Sequence, residues 1–250
     1  MHLPDEFLSS GTAAGFAGIA AFAVGLAVQK VRSAFMRKIP VLKARLATFP
    51  DTGASRSMNL QNRLSKLGQE KVWRMAAVGA LVFSAQMVNF PIGEGISGHL
   101  LGGTLAALIL GPLEALLAMT AILVVQALVF ADGGILALGA NIFNMGIVGA
   151  IGGYSYFRFL TRDSRKVGMN FWLSAFVAAW LSVVFAAIAA SFEIAWSGMK
   201  PFLTALQAMT LTYILIGLVE GVITVAVLAL LYWKKFPLET LREEKIYAKE

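Results

Sequence analysis

The sequence predicts an all-α polytopic membrane protein, a single membrane domain over residues 1–250 with seven transmembrane segments. Three observations carry this reading. Hydrophobic residues make up 58% of the 250 and charged residues 14%, too little charge to cover the surface of a water-soluble globule. Mean hydropathy is +0.74, and several charge-free runs reach the roughly 20 residues that a helix needs to cross a bilayer core. The Lys and Arg residues, finally, are bunched between those runs instead of being spread along the chain. There is no Cys, which excludes disulfides, thiolate metal sites and Cys nucleophiles.

The first span, about 8–29, follows MHLPDEF. Asp5 and Glu6 stand where a cleaved signal would carry basic residues, and no small-residue cleavage site closes the run, so Met1 is expected to be the mature start. The bulky His2 behind it is expected to keep Met1, with its free amine, in place. Ala13, Ala17, Ala21 and Gly25 recur at four-residue spacing, the pattern that lets helices approach closely in lipid. Residues 30–74 read as a long basic cytoplasmic loop, either an amphipathic surface segment or partly disordered, with a Pro50-Asp51-Thr52-Gly53 turn signal. The second span, 75–92, offers Ala76, Ala80 and Ser84 as a face for a partner helix. Gly111-Pro112 and Glu114 then divide a long apolar stretch into two short spans, 99–111 and 113–131. Spans at 135–157, 169–196 and 205–233 follow, the sixth with its own ladder of Ala178, Ser182, Ala186 and Ala190, and residues 234–250 form a cytoplasmic tail.

Dividing that stretch places 20 of the 21 Lys and Arg on one side: 11 from Lys30 to Arg74, four from Arg158 to Lys166, and five from Lys234 to Lys249. A single crossing would move the second group across the membrane, against the positive-inside rule. The expectation is a multi-pass protein of a prokaryotic cell (inner) membrane, N-terminus outside and C-terminus cytoplasmic. The net charge of +7 therefore reports topology and contact with the lipid bilayer, not nucleic acid. The outer face carries Asp5, Glu6, Glu94 and Asp132 against Lys200, a sign that favours cations on encounter.

Polar residues inside the spans are expensive and need partners. Glu114 and Glu193 lie near span ends and read as interfacial, whereas Glu220 is near the middle of the last span. Gln86, Asn89, Asn141 and Asn144 join Glu220 at membrane depth, and the expectation is a polar pocket near the outer half of the bundle.

Among motifs, GEGISGHL at 93–100 matches G-x-G-x-x-G and nearly a Walker A loop, but His99 and Leu100 replace the required Lys and Ser/Thr and no strand precedes it. The chain is expected to bind no nucleotide and, lacking H-E-x-x-H, G-x-S-x-G or a protease pair, to be no enzyme. Its two His, His2 and His99, both fall on the outer side. The Met1 amine, the His2 amide nitrogen and the His2 imidazole can chelate one ion in fused five- and six-membered rings, leaving a fourth in-plane position for His99. Such a nitrogen plane suits Ni(II) or Cu(II), and can hold Co(II).

With MHLPDEFL, FSAQMVNFPI, SGHLLGG, LGPLEALLAMTAILVVQALVFADGGILALGANIFNMGIVG and ILIGLVEGVIT in order, the chain resembles the cobalt/nickel substrate-specific S components (CbiM/NikM) of energy-coupling factor transporters. The resemblance implies a six-helix S-component core plus an extra N-terminal helix whose free end tucks inward. It also implies a square-planar site for Ni(II) or Co(II), as transported substrate, at Met1, His2 and His99. Partners implied are a transmembrane scaffold (T component), cytoplasmic ATPases and a small accessory membrane subunit. Three departures stand out: Glu6 where the family has Gly, Tyr213 where many members have His, and the long 30–74 segment. Competing readings are a proton-coupled carrier or channel using Glu220 and the intramembrane Asn residues, an intramembrane hydrolase, and an S component for an organic vitamin, which would need no Met-His start.

Overall fold

A computed structural model describes residues 2–47, 53–93, 96–161, 167–236 and 238. A short 3-10 turn, Asp5–Phe7, precedes α1 (Ser10–Ala47) and α2 (Gly53–Gln86). A two-stranded antiparallel hairpin follows, β1 (Asn89–Gly93) and β2 (Ile96–His99), then α3 (Gly103–Leu110) and α4 (Pro112–Val129). α5 (Leu138–Asn141), a π-helical stretch Ile142–Gly152 and α6 (Gly153–Leu160) form one continuous rod, before the hairpin of α7 (Met169–Trp196) and α8 (Phe202–Trp233).

The expected 30–74 loop is helical instead: α1 runs on to Ala47 and α2 begins at Gly53. Charge marks where a helix leaves hydrocarbon, not where it ends. The Lys-, Arg-, Leu- and Ala-rich sequence on both sides of the Pro50 turn signal has strong helix propensity. The second expected span also changes character, since helix stops at Gln86 and the chain continues as strand through residues 89–93. Among the described residues, four stretches are long and apolar enough to cross a membrane: Ser10–Met36, Pro112–Val129, Met169–Trp196 and Phe202–Trp233. The chain breaks helix between α3 and α4 at Gly111, whose φ of 97° is open to glycine, and Pro112 starts α4 without needing an amide donor.

α3 lies at the centre. All eight of its residues are buried, and at 1.5 Å per residue it reaches only about 12 Å, less than half a bilayer core. Its fit is backbone to backbone: a Cβ on Gly103 would come within 2.8 Å of the Met145 carbonyl oxygen and 2.9 Å of the Ala150 nitrogen, both on the π-helical stretch. Thr104 Oγ1 donates to the Gly149 carbonyl at 3.1 Å and meets Ser182 Oγ of α7 at 2.7 Å. The Ala178, Ser182, Ala186 and Ala190 ladder is buried throughout and serves internal packing. In α8, Gly217 and Gly221 receive Trp180 and Phe176 of α7.

The ladder foreseen in the first span is not the packed face. Ala17, Ala21 and Gly25 are exposed, and α1 buries Ala13, Ala20 and Ala27, seven residues apart. Seven-residue recurrence is the narrow seam of a helix gripped along one edge, which a four-residue count misses. Ala17 still meets the bundle through its backbone, where Gly139 of α5 lets the two helices touch. Exposed Trp73 stands part-way along α2 beside Lys71 and Arg74, Trp233 at the Lys-rich end of α8, and Trp196 at the far end of α7, as interfacial aromatics do.

Because Gly103 faces immovable backbone, Gly103→Ala is expected to destabilise the detergent-solubilised protein by about 1–3 kcal/mol. Gly18, with nothing within 4 Å of its added Cβ, is the control. Thermal unfolding of both variants checks this; equal melting temperatures would contradict the close approach of α3.

Candidate metal centre

Three segments converge at one end of the bundle: the arm before α1, the end of β2, and the turn after α4. Pro4 is extended at φ −73°, ψ 162°, and the 3-10 turn behind it reverses the chain through Phe7 N to Pro4 O at 3.2 Å and Leu8 N to Asp5 O at 3.3 Å. Ser9 then caps α1, its Oγ accepting from Thr12 N at 3.3 Å. The reversal folds the arm back into the protein, where Leu3 and Leu8 are buried.

Leu3 is held on both sides of its backbone. Its N–H donates to Asn141 Oδ1 at 2.8 Å, and its carbonyl accepts from Asn141 Nδ2 at 3.2 Å and from Gly134 N at 3.0 Å. Asp5 Oδ1 accepts from Ala137 N at 3.0 Å. Exposed Glu6 takes no part, so this departure from the family pattern does not obstruct entry of the arm.

His99 arrives from β2, paired in register with Asn89 of β1. The tripeptide Leu100-Leu101-Gly102 beyond it carries backbone amides into a buried region, and Glu220 of α8 satisfies two of them: Leu101 N to Oε2 at 2.6 Å and Gly102 N to Oε1 at 2.9 Å. Gln86 Nε2 donates to Leu101 O at 2.6 Å, and Gln126 Nε2 to Gln86 Oε1 at 3.0 Å. Gly102 has φ 72°, and Val82 leaves only 2.6 Å for a Cβ, so both backbone and space demand glycine. Tyr213, fully buried, is hydrogen-bonded to the His99 backbone. It supports the strand where a family histidine would stand.

These supports bring the two histidines together. The His2 and His99 rings stack with centroids 4.5 Å apart and planes 26° from parallel, and the residues are 5% and 0% exposed. His99 Nδ1 lies 2.7 Å from the Leu100 carbonyl; a neutral ring donating there carries its lone pair on Nε2. His2 Nδ1 approaches Asp132 Oδ1 at 3.3 Å. Burial, the largest influence, holds the His2 imidazole below its ordinary pKa, so it is neutral at neutral pH and its lone pair is available to a metal. Asp132 is held below the usual carboxylate range, chiefly by its contact with His2.

Of the other sequence candidates, Met1 lies outside the described residues, as does the side chain of Asn89. Asn141 and Glu220 belong to the centre as clamps on the backbones that carry His2 and His99. Asn144 does not: its Nδ2 donates to Glu193 Oε2 at 2.8 Å, between the π-helical stretch and α7. Glu193 is fully buried instead of interfacial, because an apolar helix can carry a carboxyl inward once a facing amide receives it. Glu114 pairs with Lys71 at 2.6 Å near the break between α3 and α4. Ala76, Ala80 and Ser84 are exposed, the two alanines lining an open apolar groove of about 420 Å³ between α2 and α4. Sequence reasoning assigned no role at the centre to Asp132, Gln126 or Tyr213. The Ala-Asp-Gly-Gly turn at 131–134 was the available signal for the first.

A family model described as the cobalt uptake substrate-specific transmembrane region, CbiM, matches residues 52–237. The chain belongs to the CbiM family. Its relatives are named as metal transport proteins and not as enzymes. A putative fused nickel transport protein, NikMN, of Archaeoglobus fulgidus is 43% identical over 167 residues, 65% of this chain and 54% of the relative. The chain thus spans about half the length of that relative. A putative metal transport protein of Haloquadratum walsbyi is 34% identical over 91% of this chain and 88% of its own length. A crystal structure of a truncated transition metal transporter superposes with a TM-score of 0.73 at 29% identity, covering 94% of this chain and 99% of the other.

Hydrogen bonds to a carboxylate are worth about 1.5–3 kcal/mol each, and an exposed ion pair under about 1 kcal/mol. Glu220→Gln, which replaces one accepting oxygen by a donor facing an amide, is expected to destabilise by about 2 kcal/mol in thermal unfolding, and Glu114→Gln by much less. Equal losses would contradict the clamp.

Proposed function

We propose that this chain is the substrate-binding membrane subunit of an energy-coupling factor importer, capturing Ni(II) or Co(II) at an outward-facing site for ATP-driven uptake by partner subunits. The observation that carries it is the meeting of His2 and His99, the chain's two histidines, in buried contact at 4.5 Å. The nickel and cobalt named for CbiM relatives support the choice of ion.

The Met1 amine and the His2 amide and imidazole nitrogens supply three in-plane donors, and His99 the fourth. As the rings stack in the structure, shared coordination of one ion requires the His2 ring to turn its nitrogen towards it. That turn gives up the 3.3 Å approach of Nδ1 to Asp132 Oδ1. The His99 ring is fixed through Leu100, Tyr213 and Glu220, so the arm moves against a rigid wall.

Seven crossings with the N-terminus outside agree with how the ends are furnished. Lys71, Arg74 and Glu114 gather at one end, where Arg74 donates to Ile109 O at 3.1 Å and faces the Phe236 ring at 5.4 Å. The histidines, Asp132 and the Lys200–Phe7 contact gather at the other. A membrane scaffold subunit docks on Ala76, Ala80 and Ser84, and cytoplasmic ATPases on that scaffold supply the energy. A small accessory membrane subunit completes the assembly. Glu220 and Asn141 hold backbone groups, which leaves the proton-carrier reading without its principal residues.

One residue added before Met1 moves the amine out of the chelate and is expected to abolish high-affinity binding of Ni(II) and Co(II) by isothermal titration, as are His2→Ala and His99→Ala. Affinity should rise with pH, because binding displaces protons from the amine, whose ordinary pKa is about 8, and from the amide. An extended protein that binds as tightly as the native one would remove the amine from the site.

Ala80→Trp, which fills part of the groove between α2 and α4, is expected to reduce copurification with the scaffold by at least about tenfold and to leave metal affinity unchanged. Undiminished assembly would place the scaffold on another face.

A further inference from the structure

Asp132 stands in the turn that closes α4, and the turn is built to present it. Ala131 has φ 52°, in the left-handed region that a non-glycine residue rarely adopts, and Gly133 has φ 89°. Between them the Asp132 amide donates to Gln126 O at 3.0 Å. Gly133 packs against the His2 side chain, where its missing Cβ would lie 3.2 Å from the ring. The carboxylate comes to 3.3 Å from His2 Nδ1 with Oδ1, while Oδ2 is buried without a hydrogen bond. Exposure falls inward along one line: the Asp132 side chain is 21% exposed, that of His2 3%, and His99 is sealed.

We propose that Asp132 is a further metal-capture residue: it meets the incoming hydrated divalent cation ahead of the imidazoles and remains beside the ion as its counter-charge. The inference rests on the metal-centre reading above. A doubly charged ion bound by an amine, two imidazoles and one deprotonated amide keeps a single positive charge, in a place from which water is largely excluded. An uncompensated charge there is costly, and one carboxylate neutralises it. The same carboxylate, the polar group of this cluster most open to solvent, raises the local cation concentration at the entrance. When the ion takes His2 Nδ1, Asp132 loses its imidazole neighbour and gains the cation in its stead. Its attraction to the ring is exchanged, not lost.

The test is stopped-flow association of Ni(II) with purified protein, read by competition with a chelating indicator dye at several ionic strengths. Asp132→Asn keeps the shape and loses the charge. It is expected to slow association at low salt by at least about tenfold and to flatten the salt dependence, whereas Asp132→Glu retains both. A role confined to holding the turn would change neither the salt slope nor the Asn–Glu contrast. Wild-type association that ignores salt overturns the proposal without any variant. Asp132→Asn associating at the wild-type rate, with His99→Ala unable to bind, overturns this inference and leaves the metal centre standing. His99→Ala binding as tightly as wild type overturns the metal centre itself, and this inference with it.

Discussion

Asn141 holds the peptide backbone of Leu3 by two hydrogen bonds, one to its N–H and one to its carbonyl, and the Gly134 and Ala137 amides secure Leu3 and Asp5 beside it. An extended segment taken into an apolar bundle brings amide groups that water can no longer satisfy, each costing on the order of 1–3 kcal/mol if left bare. A carboxamide offers one donor and one acceptor on a single planar head, so it completes an extended residue as a neighbouring strand would. With Leu3 fixed, His2 has little freedom in where its side chain enters. Glu220 does the same for the segment behind His99 with two acceptors, since there both groups to be satisfied are donors. The centre is therefore two irregular backbones, each held by a polar side chain from a helix of the bundle.

The rest of the architecture serves the rigidity of those holders. Asn141 sits where α5 passes into the π-helical stretch, and that stretch is locked against α3 by Gly103 and against α7 through Thr104 and Ser182. Glu220 lies in α8 beside Gly217 and Gly221, where α8 is pressed onto Trp180 and Phe176 of α7. Small residues matter here because lipid gives helices little apolar reason to associate, and contact must come from close packing and hydrogen bonds.

Much of this was legible in the residues. The spacing of charges located the helical rods, Gly111-Pro112 located the break, and the two histidines could be paired because the charge pattern put them on one side. What stayed hidden was conformational. The hairpin at 89–99 contains Pro91 and three glycines, which read as turn, yet its two strands pair antiparallel from Asn89–His99 onward. The helices beyond Lys30 were missed because hydropathy reports solvent and not backbone conformation. Glu220 was visible as costly, yet its role needed the knowledge that amides and not a cation or proton faced it. Asp132 read only as one of the outer-face acids that favour cations, because neither the left-handed Ala131 nor the depth of the turn is written in composition.

The shortness of α3 has a consequence for how the chain enters the bilayer. At eight residues it is too short to be released from the insertion machinery as a stable crossing, and all of its surface is meant for protein. It must wait in the company of α4, against which the Gly111 break folds it back. Ser182 and Glu220, which hold Thr104 and the amides just before α3, are synthesised 78 and 119 residues after their respective partners. The arm's anchor Asn141 is therefore made well before the wall that carries His99, which is completed only when the last helix arrives.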